Sequence, residues 1–361
     1  MTSRVVANGD GDASMTRWQW FPRQRRKVRA LDEVDVDFED PDGIEIPNFA
    51  HLMIVPFFSQ GDLHGIVQLF VARMLHSCEN GFLLFSTDFE PSKLIFFQGC
   101  EASVLIDSHG NNIAEKEAPP NLSLRGFEII DEIKAELEKR CPGIVSCADI
   151  LALATRDGVA LSGGAAYGLP TGRRDGTVSS ITEAILPDPA SSVDTVLTAF
   201  QSKNLNLSDL VTLLGAHSVG FCHCLFFIDR LYSFQGTGFP DPDMDSAMLD
   251  TLQKKCPFPT SPIVNISSDP NVFINQETNT PFLLDNSFYQ AVLNGRAVLQ
   301  LDQELAFTSV TNDMLVRFAN NPKAFRRSFS KAMIKLGNVG VLSGQDGEIR
   351  QNCRRVNKIH G

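Results

Sequence analysis

Tryptophan is scarce in this sequence and absent from where a core would need it. Only Trp18 and Trp20 occur, both in a polar leading stretch, among 361 residues. An excess of positive charge is also lacking. Lys and Arg number 32 against 43 Asp and Glu, a formal net charge of -11, which argues against a nucleic-acid partner. No apolar run is long enough to span a membrane. The first fifty residues hold no apolar core of a secretory leader, so none is legible. Alternating strand patterns are nearly missing, which points away from a sheet-based fold. Cysteine is sparse for the length. Its 8 residues exclude a disulfide-stapled mini-scaffold and still allow four bridges in a secreted enzyme.

What is present divides into three stretches. Residues 1–50 carry a basic cluster, Arg23, Arg25, Arg26, Lys27 and Arg29, then an acidic run from Asp32 to Glu45. That composition reads as a disordered, solvated extension. Residues 51–98 read as a divergent N-terminal segment. Ile66, Leu69, Phe70 and Met74 have helical spacing, but 81–97 show no clean period. From Gly99 to Asn357 the pattern is that of a mostly helical domain with long connections. Helices are expected over Leu122–Lys139, from Cys147 to Gly163, over Val193–Lys203, Ile228–Phe234, Met248–Lys255, Thr311–Asn320 and Pro322–Leu336. Arg173 is placed to pair with Asp149.

The most informative stretch runs from Asp209 to Cys224, DLVTLLGAHSVGFCHC. Leu210, Leu213 and Leu214 form an apolar helical face that ends at Gly215, with Ser208 or Asp209 expected as N-cap. His217 follows among small residues, which let a flat, bulky group approach its ring. Local pattern leaves two readings open. One is a packed, hydrogen-bonded histidine at a helix end. The other is an axial ligand, which needs a carboxylate on its second ring nitrogen. Glu101, Ser103 and Asp107 in the turn after Gly99 offer oxygens for a hard cation, a weak signal alone.

The strings GCEASVLID, RGFEIIDEIKAELEKRCPGIVSCADILALATRDGVALSGG, PTGRRDG, DLVTLLGAHSVGFCHC, LLDNSFY, LDQEL and RQNCRRVN stand in one order over Gly99–Asn357. Together they resemble the secretory plant haem peroxidases, the class III family, over most of the chain. The resemblance implies a mostly α haem-peroxidase fold, with haem b between distal and proximal helical halves. It implies reduction of hydrogen peroxide with oxidation of small aromatic, phenolic donors. It also implies a secreted or vacuolar monomer with no membrane span. His217 becomes the expected proximal haem ligand and Asp302 the carboxylate behind it. Phe221 is expected near the haem edge, and Pro187 beside the aromatic-donor site.

Further expectations come from the same likeness. Cys147–Cys353 and Cys224–Cys256 match family bridges. Cys141 is left with Cys78 as its upstream candidate, while Cys100 and Cys222 look unpaired. Ser218, Glu277, Thr280, the Leu283 carbonyl and Asp285 match a proximal calcium site. Gly99, Glu101 and Ser103 match a distal one with few carboxylates, so weak or absent calcium is expected there.

The distal side departs from the family. Peroxide cleavage needs a neutral base and a charge-stabilising arginine. Phe89 stands in the arginine place and Lys93 in the histidine place, with Pro91 between them. A lysine is protonated near neutral pH unless strongly desolvated. A gapped reading instead makes His76 the distal histidine, with Arg73 one residue too close. Glu115 and Asn121, which orient a distal histidine in the family, remain. The chain therefore reads as a peroxidase by family. The alternative is an impaired haem-binding relic, or a sequence whose first segment was wrongly joined.

Overall fold

The computed structural model describes residues 99–357, apart from 123, 185–186, 260–268 and 277–279. The expectations for 1–50 and 51–98, including His76, Cys78, Phe89 and Lys93, lie outside the described residues. Ten α-helices and one two-stranded sheet are found among the described residues.

Helix α1 covers Phe127–Arg140 and α2 covers Cys147–Leu161. The expected start of α1 at Leu122 is corrected by Gly126. Its φ of 86° is left-handed, so helical geometry begins one residue later. On α1, Ile129, Ile130, Ile133 and Leu137 face inward at three- and four-residue spacing. They pack against Ile150, Leu153 and Ala154 of α2. The Cys147–Cys353 bridge ties the start of α2 to the C-terminal segment. Arg173 donates to Asp149 at 3.0 Å, joining the turn after α2 to its first turn.

Helix α3 is Val193–Gln201 and α4 is Leu207–Leu214. Sequence reading put the cap of α4 at Ser208 or Asp209. The cap is Asn206, whose side chain accepts from Asp209 N while Asp209 accepts from Asn206 N. This reciprocal box satisfies two of the free amides at the helix start. Both Asp209 oxygens also accept from Lys335 Nζ at 2.9 Å, which fixes α4 to a later helix.

Strand β1, Phe221–His223, pairs antiparallel with β2, Asn271–Phe273. Three residues are too few to show a period of two, so this pair was not legible. Helices α5 (Ile228–Tyr232) and α6 (Ser246–Lys255) lie beside it, with the Cys224–Cys256 bridge between them. Buried Arg230 donates from Nε to Asp241 and from Nη1 to the carbonyls of Ala297 and Val298, so its charge is paired, while its buried Nη2 has no hydrogen-bond partner among the described residues.

The last four helices are α7 (Ser287–Leu293), α8 (Gln300–Glu304), α9 (Ser309–Asn320) and α10 (Pro322–Leu336). Tyr289, Phe318, Phe325 and Phe329 form a chain of edge-on and tilted rings beneath α4. Such aromatic pairs add about 0.5–1.5 kcal/mol each beyond their buried area.

Candidate functional site

Helix α4 ends where a side chain could not fit. A Cβ on Gly215 would lie 2.4 Å from Tyr289 Oη and 2.5 Å from a Phe325 ring carbon. Glycine therefore lets α4 sink onto the aromatic core, with Tyr289 Oη donating to the carbonyls of Val211 and Thr212. A 3-10 turn, Gly215–Ser218, then presents His217.

Nδ1 of His217 stands 2.8 and 3.0 Å from the two oxygens of Asp302, 85 residues away in sequence. The Asp302 side chain is 1% exposed and that of His217 is 29% exposed. A carboxylate only accepts, so in the neutral ring Nδ1 carries the proton and Nε2 the lone pair. Burial opposes charge on the ring, but the charge and hydrogen bond of Asp302 outweigh it and raise the imidazole pKa. Phe288 meets the ring edge-on at 6.0 Å. Helix α8 is held in turn. Leu301 N donates to Pro189 O and Val193 N donates to Glu304. The arrangement suits an axial metal ligand: an accessible Nε2, a fixed tautomer, and a buried carboxylate raising ligand basicity. On that chemistry the residues present fit a haem iron.

Next to His217 lies fully buried Ser218. Its Oγ accepts from Asp285 N at 3.3 Å. Leu283 N donates to Thr280 O, which closes a turn one residue before Leu284 and Asp285. Ser218, Thr280, Leu283 and Asp285 are thus brought to one segment pair; Glu277 lies outside the described residues. Sequence reading missed Asn275. Buried, it donates to Ser218 O and to Ser287 Oγ and so joins the two segments. An isolated asparagine gives no sequence signal for such a bridge.

Phe221 lies half-buried on β1 and stacks on Phe273 at 4.5 Å, which commits its ring to the small sheet. Pro187 is half-buried beside the undescribed 185–186.

A cavity of about 380 Å³ opens on Ser103, Glu115, Asn121, Tyr167, Glu183 and Met333, with Gly99 and Cys100 at its wall. His217 is not among its lining residues. Asn121 Nδ2 donates to the Glu115 carbonyl at 2.8 Å, and no described residue donates to its Oδ1. Ser103 Oγ donates to Glu115 Oε1 at 2.8 Å. Burial, with the Glu101 and Glu183 carboxylates nearby, lifts Glu115 to about 7. Glu101 is 3% exposed, and neither of its carboxylate oxygens has a partner among the described residues. Burial raises its pKa as well, against the opposing pull of Ser103 and Arg350. No histidine or arginine of the described residues lines this cavity. His109 sits in an exposed turn and His223 is bound to the Asp269 carbonyl.

Cys100 is a free, half-buried thiol, and buried Cys222 is free as well. Cys141 takes part in a disulfide.

A helical protein whose core helix delivers a histidine onto a buried aspartate is built to hold an axial metal ligand. The comparisons with known proteins agree. The peroxidase family model matches residues 38–321. Peroxidase 57 of Arabidopsis thaliana is 48% identical over 262 residues, 73% of this chain and 79% of that protein. Peroxidase 28 of Arabidopsis thaliana is 46% identical over 264 residues, 73% and 80% of the two chains. Peroxidase 5 of Vitis vinifera is 43% identical over 265 residues, 73% and 78%. The chain belongs to the peroxidase family. Membership implies haem, hydrogen peroxide and an electron donor. No helix among the described residues is long and apolar enough to cross a membrane.

Proposed function

We propose that this chain is a haem b peroxidase, with His217 as proximal ligand, that cleaves peroxide slowly. The observation that carries the haem site is the His217–Asp302 couple at 2.8 Å. Bound haem would supply the electron-transfer chemistry by which peroxide is reduced. The net reaction turns one hydrogen peroxide and two phenols into two waters and two phenoxyl radicals. The chain's own part on the proximal side is to offer Nε2 and to hold a proton on Nδ1 against Asp302. On the opposite side Asn121 offers its amide oxygen to orient a base. Pro187 stands at the entry for aromatic donors in this reading, and Phe221 supports the edge of the pocket from β1.

Calcium belongs to the same proposal. Ser218 on its 3-10 turn and Thr280, Leu283 and Asp285 on the facing segment would offer oxygens of the kind hard cations take, and Glu277, outside the described residues, is the further ligand in this reading. Gly99, Glu101 and Ser103 make a poorer second site. The unpartnered Glu101 carboxylate is its strongest feature. Cys78 is proposed as the partner of Cys141, because the other cysteines are bridged or free. The domain runs from Gly99 to Asn357, with 51–98 in the place of the distal helix region. The bridges support secretion or vacuolar delivery.

In the ungapped likeness to the family, Phe89 and Lys93 stand in the places of the distal arginine and histidine. General acid–base help is worth roughly 10²–10⁴-fold. Without it, peroxide cleavage should be at least about a hundredfold slower than in a complete family member. A second reading makes His76 the distal base. It is favoured by the family match, which begins at residue 38 and takes in Arg73 and His76. Stopped-flow mixing of haem-loaded protein with peroxide separates the two. A slow reaction unaffected by His76→Ala supports the first reading. A fast one abolished by His76→Ala supports the second. A fast one that survives this substitution defeats both.

A further inference from the structure

We infer that Gln303 is the positioning residue of the proximal site: its amide ties α8 to α7 and so holds Asp302 and Phe288 in one fixed arrangement around the His217 ring. The inference rests on the reading of His217 as the iron ligand. Helix α8 has 5 residues, and no described side chain caps its start at Leu299. A helix that short does not hold itself in water, so the place of Asp302 is set by what α8 is tied to. Leu301 and Glu304 tie it to the 189–193 segment. Gln303 ties it on the other side. It is 4% exposed, its Oε1 accepts from Ala297 N at 3.2 Å, and its Nε2 donates to Val292 O at 2.9 Å. One partner can only donate and the other can only accept, so both ends of the amide are assigned by the bonds they make.

Both partners of the amide are themselves fixed. Val292 lies in the last turn of α7, the helix that carries Phe288 edge-on to His217 at 6.0 Å. Ala297 pairs with Asn275 in an isolated antiparallel bridge, and its carbonyl accepts from Arg230. Asn275 in turn donates to Ser218 O, one residue from His217. Phe288 and Asp302 therefore reach the imidazole from two helices joined through one buried amide. The residue type matters. An ionised glutamate could not donate to Val292 O and would set a second negative charge next to Asp302. Methionine fills a similar space and makes neither bond, so it frees α8 from α7 without opening a large cavity. Groups behind a metal-bound histidine tune its basicity, and a loosened α8 holds the carboxylate against Nδ1 for less of the time.

The test compares Gln303→Met with Lys134→Met in the full chain. Each removes a buried side chain that makes two hydrogen bonds, but Lys134 bonds to Glu138 and to the Val145 carbonyl in the α1–α2 half. Gln303→Asn keeps the amide on a stem one methylene shorter and decides the matter where Gln303→Met does not fold. Two readouts are taken. In the haem-free chain, NMR follows solvent exchange of the His217 Nδ1 proton, with the backbone amides of α4 as the measure of global opening. In the ferrous, haem-loaded chain, resonance Raman reads the iron–imidazole stretching band. In Gln303→Met the proton should exchange about tenfold faster relative to the α4 amides, and the band should move to lower wavenumber. Gln303→Asn should shift both in the same direction by less, and Lys134→Met should shift neither. Native values of both readouts in folded Gln303→Met or Gln303→Asn overturn the inference. Equal shifts in Lys134→Met also overturn it, because general loosening would then suffice. A native chain without an iron–imidazole band defeats the haem reading alone, and proton exchange in the haem-free chain still decides Gln303.

Discussion

Asp302→Asn removes a charge and leaves the shape. In the structure Asp302 is 1% exposed, and His217 Nδ1 reaches both of its oxygens at 2.8 and 3.0 Å. Hydrogen bonds to charged groups are worth roughly 1.5–3 kcal/mol net. Partners behind a metal-bound histidine are worth about 10–100-fold in affinity, or about 1.4–2.8 kcal/mol. The two ranges overlap, so haem should dissociate about 10–100-fold more readily from Asp302→Asn. The reduction potential should rise, because a less basic imidazole stabilises ferric iron less well. In the haem-free protein the His217 pKa should fall, since Asp302 is what raises it against burial. Haem transfer to an acceptor globin, potentiometric titration and imidazole NMR read the three effects. Unchanged haem loss and potential, with an intact fold, would show that Asp302 does not act on the iron through His217.

Two further outcomes follow from named groups. Glu115 has its pKa raised to about 7, so its folded form holds a proton that the unfolded chain releases at lower pH. Stability from this group is present below the unfolded value and is lost as pH rises through about 7. In calcium-free buffer Glu115→Gln should therefore be nearly neutral at pH 4 and stabilising at pH 8, by up to about 3 kcal/mol. Equal effects at both pH values in thermal melts would refute that burial of its charge matters. Cys353→Ser opens a bridge between residues 206 apart. It should cost about 5 kcal/mol by chain entropy, read as a lower denaturation midpoint. A loss below about 1 kcal/mol would mean that this bridge adds little constraint.

Much of the helical frame was legible because local chemistry and tertiary packing agree. Helix α10 begins at Pro322, with Asn321 accepting from Ala324 N, and both signals stand in the sequence. Where backbone geometry decided, reading failed. The left-handed Gly126 moved the start of α1, and Asn206 took the cap from Ser208 and Asp209. Asn, Ser and Asp all cap well, so propensity cannot choose among three such neighbours. The His217–Asp302 couple spans 85 residues. Spacing does not reveal it, and only likeness to a family pointed there. Asn275 and the pairing of β1 with β2 were missed because each depends on contacts made by folding alone.

The most direct measurement is the iron–imidazole stretching band in resonance Raman spectra of the ferrous, haem-loaded protein. The band should be present in the native chain, lie lower in Asp302→Asn, and vanish in His217→Ala. Full retention of the native band in His217→Ala would contradict His217 as the proximal ligand.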